Sequence, residues 1–112
     1  MSIKLEKQTE DFQISDLSRK AEQGDAAAQY NLGMLYYEGH GVMQDYATAR
    51  QWWEEAAAQG NAWARYRLGV LYNKGRGVPQ DDATAREWFG KSAAQGVSSS
   101  VKETLPKENF WL

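Results

Sequence analysis

The chain of 112 residues contains no cysteine and a single histidine, His40. Without cysteine it can form neither a disulfide nor a thiolate zinc site, and redox chemistry does not constrain its compartment. One histidine cannot supply a histidine-rich metal site or a Cys–His nucleophile pair. These absences predict a protein with no bound metal and no other cofactor.

Long apolar runs are also missing, so we expect no signal peptide and no bilayer span. This favours a cytoplasmic protein, unless a leader or a longer parent chain has been lost. The net charge is −2, and the basic residues of 65–76 have acidic neighbours, so we expect no binding to nucleic acid or to membranes. A hydrophobic content of 42% and a charged content of 25% are typical of one globular domain.

Catalytic arrangements are missing as well. A serine of 98–100 would have to reach His40, far along the chain, to form a Ser-His-Asp arrangement. Glu54 and Glu55 are adjacent, so on a helix they point in different directions and form no acid–base pair. No glycine-rich phosphate loop is present. We therefore predict that the protein is not an enzyme.

What the sequence does contain is a repeat. A Gln-Gly pair recurs at 23–24, 59–60 and 95–96, which gives a period of 36 residues. Residues 25–60 align with residues 61–96 without a gap. Because periods of about 20–50 residues indicate stacked repeat architectures, the period is the main evidence for the fold.

Each repeat reads as a pair of helices. Shared apolar and small residues follow the spacing of one helical face at 28, 32, 35 and 36, and again at 64, 68, 71 and 72. Gly39 and Gly75 are suited to a left-handed cap at the end of this first helix. Asp45 and Asp81 are placed to cap the second helix.

A glycine lies inside the first helix of both repeats, at Gly33 and Gly69. Each glycine costs about 1 kcal/mol relative to alanine in a helix. The chain keeps this cost twice, which predicts a close approach between helices at both positions.

The motifs Leu32-Gly33-x2-Tyr36 and Ala49-x3-Trp53, repeated at 68–72 and 85–89, resemble the tetratricopeptide type of repeat. The longer period and the loop Gly39-His40-Gly41-Val42 resemble the Sel1-like repeat more closely. The resemblance implies an all-α fold, a short α-solenoid of antiparallel helix pairs, and an adaptor that binds other proteins, as in many short bacterial members. Cysteine-rich relatives have been linked to β-lactam hydrolysis, but this chain lacks every cysteine, so that activity is not carried over.

The predicted organisation is a flexible segment at 1–14, a capping helix at 15–24, repeats at 25–60 and 61–96, and a capping helix with tail at 97–112. Ser15 is the candidate N-cap of the first capping helix. Phe110 and Trp111 either fold back onto the open end of the solenoid or meet another chain, and the first option is favoured because a terminal repeat needs a cover.

The resemblance implies that the first helix of each repeat lines a concave face. Surface positions there that differ between the copies are the candidate partner-binding residues: Asn31, Met34, Tyr37, Glu38, Trp63, Arg67, Val70, Asn73 and Lys74. Trp63, Arg67, Val70 and Lys74 follow the spacing of one helical stripe, and tryptophan beside arginine is typical of a binding hot spot. The stripe suits a protein or peptide partner with an acidic segment. The sequence therefore predicts a protein–protein interaction module, an adaptor, scaffold or inhibitor, that binds its partner on this concave face.

Two alternatives remain open. Trp63 could pack against Ala27 or the N-terminal cap while Arg67 is a solvated charge. The protein could also be a structural unit that self-assembles through its solenoid ends and C-terminal tail, whereas the adaptor reading expects a monomer or weak homo-oligomer.

Overall fold

A computed structural model describes residues 13–96. This part of the chain contains five helices and no strand; the helices are α1 (13–22), α2 (Ala26–Glu38), α3 (Tyr46–Ala58), α4 (Ala62–Lys74) and α5 (Asp82–Ala94). Helix α2 packs on α3 and α4 packs on α5, and contacts between α3 and α4 join the two pairs. The predicted all-α solenoid of helix pairs is confirmed. None of the helices between residues 13 and 96 is long and apolar enough to cross a membrane.

The predictions for the two ends of the chain are not confirmed in the same way. Residues 13 and 14 are already helical, so Ser15 lies inside α1 and the prediction that it is the N-cap is wrong. The capping helix therefore starts before residue 15. The predictions for residues 1–12 and for the helix and tail at 97–112, including Phe110 and Trp111, lie outside the described residues.

In the two repeats, the predicted caps Gly39, Asp45, Gly75 and Asp81 lie at helix ends. Asp45 Oδ1 accepts hydrogen bonds from the backbone N–H groups of Ala47 (3.0 Å) and Thr48 (3.3 Å), and the Thr48 hydroxyl donates to Asp45 Oδ2 (2.7 Å). Asp81 makes the same set of bonds at the start of α5. Gly39 ends α2 with a φ of 70°, a left-handed conformation that disfavours side chains with a Cβ atom.

A large aromatic side chain lies against each helical glycine. An ideal Cβ atom on Gly33 would lie 2.4 Å from Nε1 of Trp53, and one on Gly69 would lie 2.5 Å from Cε1 of Phe89. Trp53 is fully buried, and its indole N–H donates to the carbonyl oxygen of Tyr30 at 3.0 Å. The prediction of a close approach at both glycines is therefore confirmed, and the approaching group is an aromatic ring of the second helix.

We predict that Gly33→Ala destabilises the protein. The added methyl group must displace a buried and hydrogen-bonded indole, and overpacking of this kind costs about 1–3 kcal/mol. Gly90→Ala is the matched control, because Gly90 is helical and exposed, and a Cβ atom there meets nothing within 4 Å. That change should stabilise α5 by about 0.5–1 kcal/mol. Urea unfolding followed by circular dichroism measures both; equal stability of the two variants would contradict the packing argument.

We also predict acid sensitivity that arises from the two aspartate caps. Hydrogen bonds from the hydroxyl and the backbone N–H of Thr48 lower the pKa of Asp45 below its ordinary value of 3.8, and Thr84 does the same for Asp81. Because the folded-state pKa is lowered, this stabilisation is present above pH 3.8 and is lost as the pH falls through the folded pKa.

The double variant Asp45→Asn and Asp81→Asn keeps an oxygen acceptor at each cap but removes the titration. Its urea midpoint should fall less than that of the wild type between about pH 5 and about pH 3. An equal fall in both proteins would assign the acid sensitivity to other carboxyl groups.

Candidate partner-binding surface

The predicted partner-binding residues occupy α2 and α4, and all of them except Met34 are at least partly exposed. Met34 is 1% exposed and belongs to a core cluster that includes Leu68 and Leu71 of α4. Its assignment to the surface is therefore corrected, because the packing of α4 covers this position. Val70, the equivalent residue of the second repeat, is half-buried and keeps part of its side chain at the surface. We call the eight candidate residues other than Met34 the α2–α4 face.

Arg67 is not a freely solvated charge. Its Nε donates to the hydroxyl oxygen of Tyr30 at 3.3 Å, and the Tyr30 side chain is 3% exposed. Burial raises the pKa of the Tyr30 hydroxyl, and the nearby Arg67 guanidinium partly opposes this rise. The contact joins α2 to α4, so it fixes the position of the guanidinium in the middle of the stripe.

Trp63 is half-buried and packs against the main core cluster. The two interpretations of Trp63, a packing residue and a binding residue, each describe part of it, since part of the indole packs on the core and part remains at the surface. Farther along α4, Asn73 and Lys74 are exposed, and Lys74 occupies the last turn of the helix. Glu38 is exposed at the equivalent position of α2.

Tyr37 belongs to an inter-repeat contact that sequence reasoning missed. The Arg76 guanidinium donates to the Tyr37 hydroxyl, and its Cζ lies 5.7 Å from the ring centroids of both Tyr37 and Tyr46. The two rings also contact each other, with centroids 5.2 Å apart. Arg76 therefore links the loop after α4 to the first repeat, and we call its contact with Tyr37 and Tyr46 the Arg76 clasp. In the sequence, the sign of this contact is that Arg76 occupies the loop-tip position that His40 occupies in the first repeat.

In the first helix of each repeat, the fourth residue has a polar side chain. This side chain links the end of the helix before it in the chain to the end of the helix after it. Gln29 is buried; its Nε2 donates to the carbonyl oxygen of Ala21 (3.0 Å), and its Oε1 accepts from Nε2 of Gln59 (2.9 Å). This contact gives the recurring Gln-Gly pair a structural role, because its glutamine bonds to the first helix of the same repeat.

Arg65 takes the place of Gln29 in the second repeat. Its Nε and Nη2 donate to the carbonyl oxygen of Ala57 (3.3 and 3.1 Å), and its Nη1 donates to Oε1 of Gln95 (2.7 Å). The same pair of contacts thus recurs one period later with a charged donor.

Within residues 13–96, no group of three or more histidine, cysteine, aspartate or glutamate side chains could hold a metal ion. The α2–α4 face instead presents an indole, cationic groups and an apolar side chain along one helix. Such a set can bury apolar area and donate hydrogen bonds to carboxylates, which suits the recognition of an acidic peptide.

The Sel1 repeat profile matches residues 26–61 and 64–97. The chain belongs to the Sel1 repeat family. Sel1 repeats mediate protein–protein interaction. The matched ranges agree closely with the two repeats that the 36-residue period defines.

Three solved structures from bacteria are similar to this chain. A protective antigen of uropathogenic Escherichia coli, c5321, which displays an SLR fold, is 46% identical with a TM-score of 0.71; the alignment covers 72% of this chain and 17% of that protein. A Sel1 repeat protein from Oxalobacter formigenes is 42% identical with a TM-score of 0.73, over 74% of this chain and 63% of that one. Helicobacter pylori cysteine-rich protein B is 25% identical with a TM-score of 0.72, over 82% and 68%. No curated protein matches the chain.

We predict that Arg76→Ala lowers the urea midpoint, because the clasp between the second loop and the Tyr37–Tyr46 pair is lost. His40→Ala is the matched control, since His40 is the exposed residue at the equivalent loop position of the first repeat, and its replacement should leave the midpoint unchanged. Equal midpoints for the two variants would show that the clasp contributes nothing to stability.

Proposed function

We propose that this Sel1 repeat protein is a cytoplasmic bacterial adaptor or inhibitor that binds an acidic segment of a protein partner on the α2–α4 face. The single observation that supports this most directly is the stripe Trp63, Arg67, Val70 and Lys74, which is at least partly exposed along α4. The family supports a protein partner in general terms.

The charges of the face favour an acidic ligand. Arg67 is held in place by a neutral hydroxyl, so its positive charge is not compensated by that contact. Lys74 adds a second exposed cation where the first repeat has Glu38. An acidic segment that lies along α4 would meet both cations, and the partly exposed indole would supply apolar area.

The test is capture of partners from a lysate of the encoding organism, followed by titration of each retained protein against purified variants. Lys74→Glu should weaken binding by about tenfold, because it places a like charge against the acidic segment. Trp63→Ala should weaken it further, provided that circular dichroism shows intact helices.

Arg86→Glu is the control, because it makes the same change of charge on the exposed surface of α5. It should bind as the wild type does. A partner that binds Lys74→Glu and Trp63→Ala as tightly as the wild type would move the binding site away from the α2–α4 face. Light scattering tests the alternative. A particle size that increases with protein concentration, and no longer does so after residues 107–112 are deleted, would instead support the self-assembling structural unit.

A further inference from the structure

A groove lies between α3 and α5, away from the α2–α4 face. Its volume is about 410 Å³, within the roughly 300–1,000 Å³ typical of ligand pockets. The lining residues are Glu54, Ala57, Ala58, Arg65, Trp88 and Lys91. The groove therefore combines small apolar side chains and an indole with ionic groups at its edge.

The groove is separate from the candidate partner-binding stripe. Successive residues of an α-helix are rotated by about 100°, so Arg65, two residues away from both Trp63 and Arg67, lies about 160° around α4 from each of them. The stripe and the groove therefore occupy opposite faces of the same helix. A ligand in one of them does not contact the other.

The charge of the groove is positive. Glu54 is neutralised by Arg50, whose Nη1 donates to Glu54 Oε2 at 2.9 Å. The Lys91 ammonium lies 4.7 Å from the centroid of the Trp88 ring, and no carboxylate pairs with it in the described part of the chain.

Arg65 contributes the second uncompensated cation. Its three hydrogen bonds go to neutral oxygens, and a guanidinium has five N–H groups, so two of them remain available to a ligand.

The equivalent positions of the first repeat provide an internal comparison. Shifting each lining position by one period gives Ser18, Ala21, Glu22, Gln29, Trp52 and Glu55. The tryptophan is retained, but Lys91 corresponds to Glu55, Arg65 corresponds to Gln29, and the small Ala58 corresponds to Glu22. The same scaffold therefore carries acidic and neutral groups between α1 and α3, and basic groups beside a smaller residue between α3 and α5.

The geometry points to a second binding site in the α3–α5 groove, which takes an acidic peptide segment of a protein partner. Carboxylates of the segment pair with the Lys91 ammonium and the free N–H groups of Arg65. An apolar side chain of the segment packs on the Trp88 ring and on Ala57 and Ala58.

The test uses a fluorescein-labelled peptide of alternating leucine and glutamate, with leucine–glutamine and leucine–lysine peptides of the same length for comparison. Fluorescence anisotropy measures affinity. The indole N–H signals of Trp88 and Trp63, assigned with tryptophan-to-phenylalanine variants, report by NMR which face binds. The acidic peptide should shift the Trp88 signal, and the other two peptides should not.

Lys91→Glu should weaken binding of the acidic peptide by about tenfold and favour the lysine peptide, because it reverses the charge beside the indole. Arg86→Glu, on the same helix but outside the groove, should change the affinity by less than about twofold. An unmoved Trp88 signal, a shift confined to Trp63, or an equal shift with free glutamate would overturn the proposal. A shift confined to Trp63 would leave the α2–α4 proposal standing, so the two sites are tested separately.

Discussion

The contact between an aromatic ring and a helical glycine is the constraint on which the rest of the structure depends. Trp53 and Phe89 lie so close to Gly33 and Gly69 that a side chain at either glycine would have to displace the ring. A glycine inside a helix weakens that helix, and the loss is offset when a large ring packs directly on the backbone of its neighbour. Each repeat thereby becomes a tight helix pair, and the pair becomes the unit that can be stacked.

Stacking of the pairs uses polar contacts that recur with the same period. Gln29 and Arg65 reach back to the carbonyl oxygens of Ala21 and Ala57, near the ends of the preceding second helices. These carbonyl oxygens also accept from the backbone N–H groups of Gly24 and Gly60, so each side chain adds a second hydrogen bond at a helix end. The glutamines of the second and third Gln-Gly pairs, Gln59 and Gln95, bond in turn to Gln29 and Arg65, so they belong to the same recurring contact.

Much of this architecture could be predicted from the sequence, because it depends on interactions between residues that are close together in the chain. Asp45 and Asp81 act at one helix end and need only their own first turn, so a capping argument finds them. Met34 shows where such arguments stop. Helical spacing places it on the same side as its neighbours, but its burial depends on how closely α4 approaches, and no spacing within α2 encodes that distance. The Arg76 clasp likewise joins side chains that are distant in sequence.

Repetition also separates what the scaffold requires from what it leaves free. Most core positions keep their chemistry between the copies, whereas five polar positions change to arginine or lysine in the second copy: Gln29 to Arg65, Asn31 to Arg67, Glu38 to Lys74, His40 to Arg76, and Glu55 to Lys91. Four of them lie on the α2–α4 face or in the α3–α5 groove, and the fifth, Arg76, lies in the loop after α4 and contacts Tyr37. The equivalent positions of the first repeat carry neutral or acidic residues on the same helix-pair scaffold, so the basic residues on the two faces are not a feature of the repeat itself. A partner that carries acidic segments would gain attraction from both sides of the second repeat and little from the first.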